Sequence, residues 1–271
     1  MRNTERFLSE KSYLYRKRFI ELFSSLGFGH LTSAFSWTEI ATVLYWEFID
    51  ISHDNIKNQD QNKLFVSKGH GIGMLFPIFE DLGLITGNMG DIVKIGGDNT
   101  KIRELVYPGW DFYGGSLGIG LGMAAGMAKG KQLSGSQTNV YCIVGDAETY
   151  EGSIWEAINF AGHQKLSNLI VILDRNGLGV TDFTENMLRI EPISERWSSF
   201  GWETKEINGH DVKEIYCALA ECLSSKSEKP KCIVANTKKG YGLDYVIDKP
   251  LMHGYIPKGD EIEKALRELK R

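Results

Sequence analysis

Two runs of the chain are apolar at every position, Val140–Val144 (VYCIV) and Leu169–Leu173 (LIVIL), and a helix-length stretch from Gly152 to Gln164 separates them. Short apolar runs rich in β-branched residues predict strands buried on both faces. Strand, helix and strand in succession predict a parallel pair joined by a crossover helix. The rest of the chain repeats the pattern. Tyr15, Phe19, Leu22, Phe23 and Leu26 recur at helical spacing and predict an amphipathic helix over about 12–26, ended by Gly27, Gly29 and His30. Ser36 followed by Glu39 has the form of a capping box and predicts a second helix over about 37–49. Lys63–Ser67 reads as a short strand, 71–83 as a helix, and the glycine-containing stretch 86–113, which has no clean period, as a loop.

Ser116–Lys129 predicts a helix of small residues (Gly118, Gly120, Gly122, Ala124, Ala125, Gly126, Ala128). Such a helix lets a neighbour approach closely, either across a subunit interface or inside a tight core. Further on, Arg189–Phe200 reads as helix and Trp202–Ile207 as strand. Asp211 and Glu214 cap a helix to about Leu223, Lys231–Ala235 is a strand, and a charged helix begins at Asp260. Strands alternating with helices predict an α/β fold, a parallel sheet with helices on both faces. No Pro- or Ser-rich linker and no internal repeat divides the chain, so a single domain over 1–271 is expected.

Composition narrows the function classes. With 42% hydrophobic and 24% charged residues the chain is globular, and a net charge of −4 makes no case for a nucleic acid or a membrane surface as partner. The start, MRNTERFLSEK, lacks the apolar region of a secretory signal, and no apolar run is long enough to span a bilayer. Cys142, Cys217, Cys222 and Cys232 show no CxxC spacing, and the two within apolar strands, Cys142 and Cys232, read as reduced core thiols. A cytoplasmic location is expected.

The chemistry concentrates where strands end. Val140–Val144 runs into Gly145–Asp146, and Leu169–Leu173 into Asp174–Arg175–Asn176. The carboxyl ends of neighbouring parallel strands form the crevice where ligands bind. A carboxylate and an amide carbonyl there suit a hard cation such as Mg2+, which borrows further ligands from a substrate phosphate. Two other patterns overlap the small-residue helix. Gly114–Gly118 (GGSLG) has the form of a nucleophile elbow, and Gly120–Ala125 (GLGMAA) that of a dinucleotide site. Each requires a strand immediately before it, and PGWDFY (Pro108–Tyr113) is a poor one.

The stretch GDAETYEGSIWEAINFAGHQKLSNLIVILDRN resembles the thiamine diphosphate fingerprint. Together with GHLTSAFSWTEI (Gly29–Ile40), SKGH (Ser67–His70), GGSLGIGLGMAAGMA (Gly114–Ala128), TKKGYG (Thr237–Gly242) and HG (His253–Gly254), all in the family's order, the chain resembles the transketolase family over nearly its whole length. The resemblance implies the thiamin diphosphate-binding fold, as its diphosphate-binding (PP-type) module. It implies Mg2+, replaceable by Ca2+ or Mn2+, on the side chains of Asp146 and Asn176 and the backbone carbonyl of Leu178. It places His70, Gly115, Ser116, Leu117, Gly145, Asp146, Ala147, Glu151, Asn176 and His253 against the cofactor, with the Ala147 N–H toward the diphosphate. His30, His70 and His253 would converge on the diphosphate, the thiazolium and the substrate oxygens. Glu151 and Glu156 would belong to an acidic chain linking two active sites, against the plainer reading of Glu156 as a solvated helix residue. His163 and His210 read as structural.

Three departures from the family's pattern carry expectations. No histidine lies between His70 and His163, where the family places one at the donor's hydroxyl end. Thr32 and Ser33 replace a glycine pair and are expected to crowd the pocket mouth. Ala147 replaces a glycine and would be strained at a positive φ. In the family, the glutamate that activates the cofactor lies in a second, pyrimidine-binding domain, so a partner chain carrying that domain is expected, in an α2β2 heterotetramer. The function expected is transfer of a two-carbon ketol unit from a ketose to an aldehyde, on a specialised sugar. The alternatives are another thiamine diphosphate reaction, acyl transfer from an α-keto acid, and, from a different class, an NAD-dependent oxidoreductase or a non-catalytic relic of the fold.

Overall fold

The computed structural model describes residues 1–52, 58, 60–85, 112–113 and 116–269. Among the described residues six strands form one sheet: β1 (Lys63–Val66), β2 (Phe112–Tyr113), β3 (Val140–Gly145), β4 (Leu169–Arg175), β5 (Glu203–Asn208) and β6 (Lys231–Asn236). Their order is β2-β1-β3-β4-β6-β5, and every neighbouring pair is parallel. The central strands are apolar at nearly every position because both of their faces are covered. Tyr141, Ile143, Ile170, Ile172 and Ile233 point into one core, and Val140, Cys142, Val144, Val171, Leu173 and Val234 into the other.

The first core is closed by α1 (Glu5–Leu26), α2 (Leu31–Phe35), α3 (Thr38–Val43) with its π-helical continuation Leu44–Phe48, α4 (Leu75–Asp81), α9 (Val212–Ser224) and α10 (Asp260–Glu268). The second is closed by α5 (Gly120–Leu133), α6 (Gly152–His163) and α8 (Ile193–Ser199); α7 (Thr184–Met187) is a single turn. Helices on both faces of a parallel sheet are the architecture expected from the sequence. Among the described residues no helix is long and apolar enough to cross a membrane.

Local chemistry sets the boundaries. Thr4 caps α1 by accepting from the Phe7 N–H at 3.1 Å, and Gly27, at φ 74°, ends it with a bond to the Phe23 carbonyl. The second helix departs from expectation. It starts at Thr38 with no side-chain cap, because both halves of the supposed capping box are engaged elsewhere. Ser36 donates to the buried carboxylate of Asp174 at 2.6 Å, and Glu39 pairs with Arg16. The stretch expected as helix over 71–83 opens as a 3-10 turn, Gly69–Met74, before α4. Most of the loop expected over 86–113 lies outside the described residues; Phe112–Tyr113 pairs with β1 as a strand. The small-residue helix begins at Gly120 rather than Ser116, because Gly118 sits at φ 84° and cannot continue a right-handed helix. In α5, Ala124, Ala125 and Ala128 pack into the core, while Gly122, Gly126 and Gly130 face open space. Helix α8 starts at Ile193 because Pro192 removes a donor and disfavours helix before it.

Candidate active site

The carboxyl ends of four parallel strands bring together residues that are far apart in sequence. Lys68 follows β1, Asp146 follows β3, Asn176 follows β4, and Lys239 lies just beyond β6. All four line one pocket with Ser33, His70, Leu117, Ala147, Leu178 and His253. The register explains the juxtaposition of the acids. Gly145 pairs with Asp174, so the Asp146 N–H donates to the Asp174 carbonyl at 3.2 Å and the two carboxylates become neighbours.

Asp146 is almost wholly buried. Its Oδ1 accepts from the Ala147 N–H at 2.7 Å and its Oδ2 from the Gly177 N–H at 2.5 Å. Burial and the neighbouring Asp174 push its carboxyl up to about 6, although both N–H donors act against the rise. Asn176 Oδ1 accepts from the Leu178 N–H at 3.2 Å, and Asp146, Asn176 and Leu178 all line the pocket. Three oxygens and no nitrogen or sulfur make a donor set for a hard cation, and a cation would relieve the charge conflict at Asp146. The residues present therefore fit a magnesium-type ion.

Two lysines, seen in the sequence only as letters of longer motifs, supply the positive charge. Lys68 donates to the Ser33 carbonyl at 3.0 Å, to Ser36 Oγ at 2.9 Å and to Asp174. Burial opposes ionisation of Asp174, but the Lys68 charge, with hydroxyls from Ser36 and Thr237, holds it below the ordinary aspartate range. Lys239 donates to the carbonyls of Leu178 at 3.3 Å and Gly179 at 3.1 Å. Burial and the Lys68 charge bring its amine down to about 8, against the pull of Asp146 and Asp174. Motif reading pointed at the acids and missed these bases, because their partners are reached only through the fold.

The three predicted histidines do converge. His30 and His70 stack with ring centres 4.3 Å apart, and His253 Nε2 lies 2.9 Å from His70 Nδ1. All three offer nitrogens within 4.8 Å of one another. Burial, then neighbouring positive charge, lowers His30 to about 4 and His253 to about 3, and also lowers His70, so the cluster is neutral near pH 7. His253 Nδ1 is buried and has no hydrogen-bond partner among the described residues. Each imidazole is held by its own element: His30 at the start of α2, His70 in the 3-10 turn fixed by the Trp37 indole on the Gly71 carbonyl, His253 just after the turn Pro250–Met252.

Other predicted residues fall as follows. Ala147 opens a 3-10 turn without a positive φ, so its methyl causes no backbone strain; its N–H is held by Asp146. Thr32 is buried and does not crowd the pocket mouth. Its hydroxyl donates to the carbonyls of Met252 and His253, tying the His253 loop to α2, whereas Ser33 does line the pocket. Ser116 and Leu117 are exposed beside the pocket, and Gly115 lies outside the described residues. Glu151 and Glu156 are exposed, and Glu151 borders Gly118, where an added Cβ would come within 2.7 Å of it. His163 is exposed, and the His210 side chain is buried but does not line the pocket. The buried carboxylate in this segment is Glu148, which sequence reading passed over. It accepts from Ser67 Oγ, from the Gly118 N–H at 2.8 Å and from the Gly145 N–H at 3.0 Å, so it fastens the Gly118 loop to two strand ends. The glycines of the supposed dinucleotide pattern lie inside α5.

Comparison with known proteins gives this geometry a lineage. The chain is 34% identical over 270 residues to one of the subunits of the apulose-4-phosphate transketolase of Actinobacillus succinogenes, covering 97% of this chain and 96% of that one. It is 31% identical over 268 residues to a 6-deoxy-6-sulfo-D-fructose transketolase subunit of Clostridium sp., covering 97% and 96%. Among solved structures, transketolase from Leishmania mexicana superposes with a TM-score of 0.80 at 22% identity, which establishes the thiamine diphosphate-binding fold. That match covers 95% of this chain but only 40% of the Leishmania chain. Residues 14–270 match the family described as transketolase, thiamine diphosphate binding domain, and the chain belongs to that family.

Proposed function

We propose that the chain is the diphosphate-binding subunit, one module over residues 1–271, of a two-chain transketolase that uses thiamine diphosphate and Mg2+. The observation that carries this reading is the convergence in one pocket of an all-oxygen cation site, a buried lysine and His70 and His253 of the neutral three-histidine cluster. When bound, thiamine diphosphate supplies the electron sink for moving a two-carbon ketol unit from a ketose to an aldehyde. Asp146, Asn176 and the Leu178 carbonyl hold the cation, with Ca2+ or Mn2+ able to take its place. Lys239, already at the Leu178 and Gly179 carbonyls, neutralises diphosphate charge. Gly145, Ala147 and the Gly115–Ser116–Leu117 segment give backbone contacts to the cofactor. His30, His70 and His253 are neutral, the last two hydrogen-bonded to each other and His30 stacked on His70; they can both donate to substrate oxygens and accept from them, and they hold or move the proton of a substrate hydroxyl. Glu151, exposed at the Gly118 loop, lies in this reading on the side facing the partner.

The partner carries the pyrimidine-binding domain, in an α2β2 assembly. Exposed Leu117 and Val180 line the pocket, and in sequence they are followed by the exposed apolar side chains Ile119 and Met123, and Phe183, Met187 and Leu188. Surfaces of this kind mark association sites. Four free cysteines support a cytoplasmic location. The specialised-sugar reading rests on the missing histidine between His70 and His163 and on the substrates named for the two subunit relatives. In steady-state kinetics the purified chain alone is expected to give no turnover, and the reconstituted pair to transfer ketol units. Its activity on xylulose 5-phosphate with ribose 5-phosphate is expected to fall below the ordinary kcat/KM range of ~10⁴–10⁸ M⁻¹s⁻¹. Turnover by the single chain would refute the partnership, and a value within that range on the common pair would refute the specialised substrate.

A further inference from the structure

Behind the pocket lies a buried polar group that the proposed reaction does not touch. Arg16 of α1 makes a two-pronged ion pair with Glu39 of α3, Nη1 to Oε1 at 2.5 Å and Nη2 to Oε2 at 2.7 Å, and Nη2 also donates to the Phe35 carbonyl. Glu39 Oε2 lies 3.0 Å from His210 Nδ1. On the other side of that ring, His210 Nε2 is 2.9 Å from the Lys238 backbone N, which has a hydrogen to give. Nε2 must therefore be the bare nitrogen, and the ring proton sits on Nδ1, facing the Glu39 carboxylate. The ring is further held by stacking on Tyr241, with centres 3.6 Å apart and planes 10° from parallel.

The bond to Lys238 acts one residue from Lys239. The other anchors of this segment are Thr237 N to the Arg175 carbonyl, Thr237 Oγ1 to the Asp174 carboxylate, Asp248 N to the Lys239 carbonyl, and Gly240 N to the Thr32 carbonyl. His210 is the side chain that holds the Lys238 N–H, and Lys238 immediately precedes Lys239 in the chain. We propose that His210, locked in one tautomer by Glu39, is a positioning residue that aims the Lys239 amine into the cofactor pocket. The inference rests on the functional reading above, in which Lys239 meets the diphosphate. It assigns His210 a role in cofactor binding although the residue touches neither cofactor nor substrate.

The test is a double-mutant cycle on the two-chain complex, with thiamine diphosphate and Mg2+ as the ligand and cofactor Kd, cofactor-free melting temperature and kcat at saturating cofactor as readouts. His210→Phe keeps the stack on Tyr241 and removes both hydrogen bonds. It is expected to raise Kd about tenfold, the scale of one lost buried hydrogen bond, while kcat at saturation holds. His210→Gln, whose carbonyl reaches toward the Lys238 N–H, is expected to recover most of the loss. Lys239→Met raises Kd by itself, and His210→Phe added to it is expected to cost nothing more, because the group being aimed is gone. If His210→Phe does not fold, His210→Asn, which keeps a donor toward Glu39 but is too short for Lys238, replaces it in the cycle. An unchanged Kd in these variants, losses that multiply in the double variant, or no rescue by glutamine overturns the inference. Failure of the wild-type complex to bind thiamine diphosphate overturns the functional reading, and this inference with it.

Discussion

Replacing Asp146 with alanine is expected to abolish the stabilisation that thiamine diphosphate and Mg2+ confer together. The carboxylate is the one formally charged member of the cation site, so without it the cation that would bridge the diphosphate to the protein loses its anionic ligand. A ligand at one hundred times its Kd adds about 2.7 kcal/mol to folding stability, and that increment is what the variant should lose. The Ala147 and Gly177 N–H groups also lose their acceptor, so the cofactor loop loosens as well. Melting temperatures of the two-chain complex, with each component added singly and together, measure the effect. An Asp146→Ala complex that still shows the full cofactor shift would remove Asp146 from the metal site.

The second large effect is on stability. Lys68→Met is expected to cost about 3–5 kcal/mol, the usual result of stripping one partner from a buried ion pair. Asp174 is wholly buried and Lys68 only 7% exposed, so water cannot take over from the missing charge. Ser36 and Thr237 would remain as neutral donors to a carboxylate without a counter-ion. Adding Asp174→Asn should return most of the loss, since an amide can use the same hydroxyls without a charge. The wild type should show the matching pH dependence. Asp174 is held below the ordinary aspartate range, so its contribution is complete above that range and disappears as pH falls through the depressed value. Urea unfolding of the single and double variants is the measurement. A loss under about 1 kcal/mol in Lys68→Met would mean that the pair contributes little.

What the sequence disclosed and what it withheld divide along contact range. The central strands were legible because double burial leaves an uninterrupted apolar run, and Asp146 and Asn176 because each follows such a run directly. The histidine cluster was legible through resemblance, each member standing in its own short motif. Lys68 and Asp174 are 106 positions apart, and no local pattern joins them. His210 and Glu39 are 171 apart, so His210 looked like a neighbour of the Asp211 cap and nothing more. Ser36 and Glu39 show the reverse error: a valid local capping pattern lost to stronger tertiary partners, a buried carboxylate for one and an arginine for the other. Thr32 was misjudged for the same reason. Its bulk counts for less than its hydroxyl, which found two carbonyls some 220 residues away. The strand Phe112–Tyr113 has two residues, too few to show any period.

The exposed apolar side chains bear on how the chain can be made. Leu188 is 59% exposed, Val180 51%, Met123 47% and Ile119 46%. A copy released from the ribosome before its counterpart exists presents those side chains to whatever is nearby, including other copies of itself. In the proposed two-chain assembly, balanced synthesis of the two polypeptides becomes part of this protein's solubility, and an excess of this one is material for chaperones and proteases rather than spare enzyme.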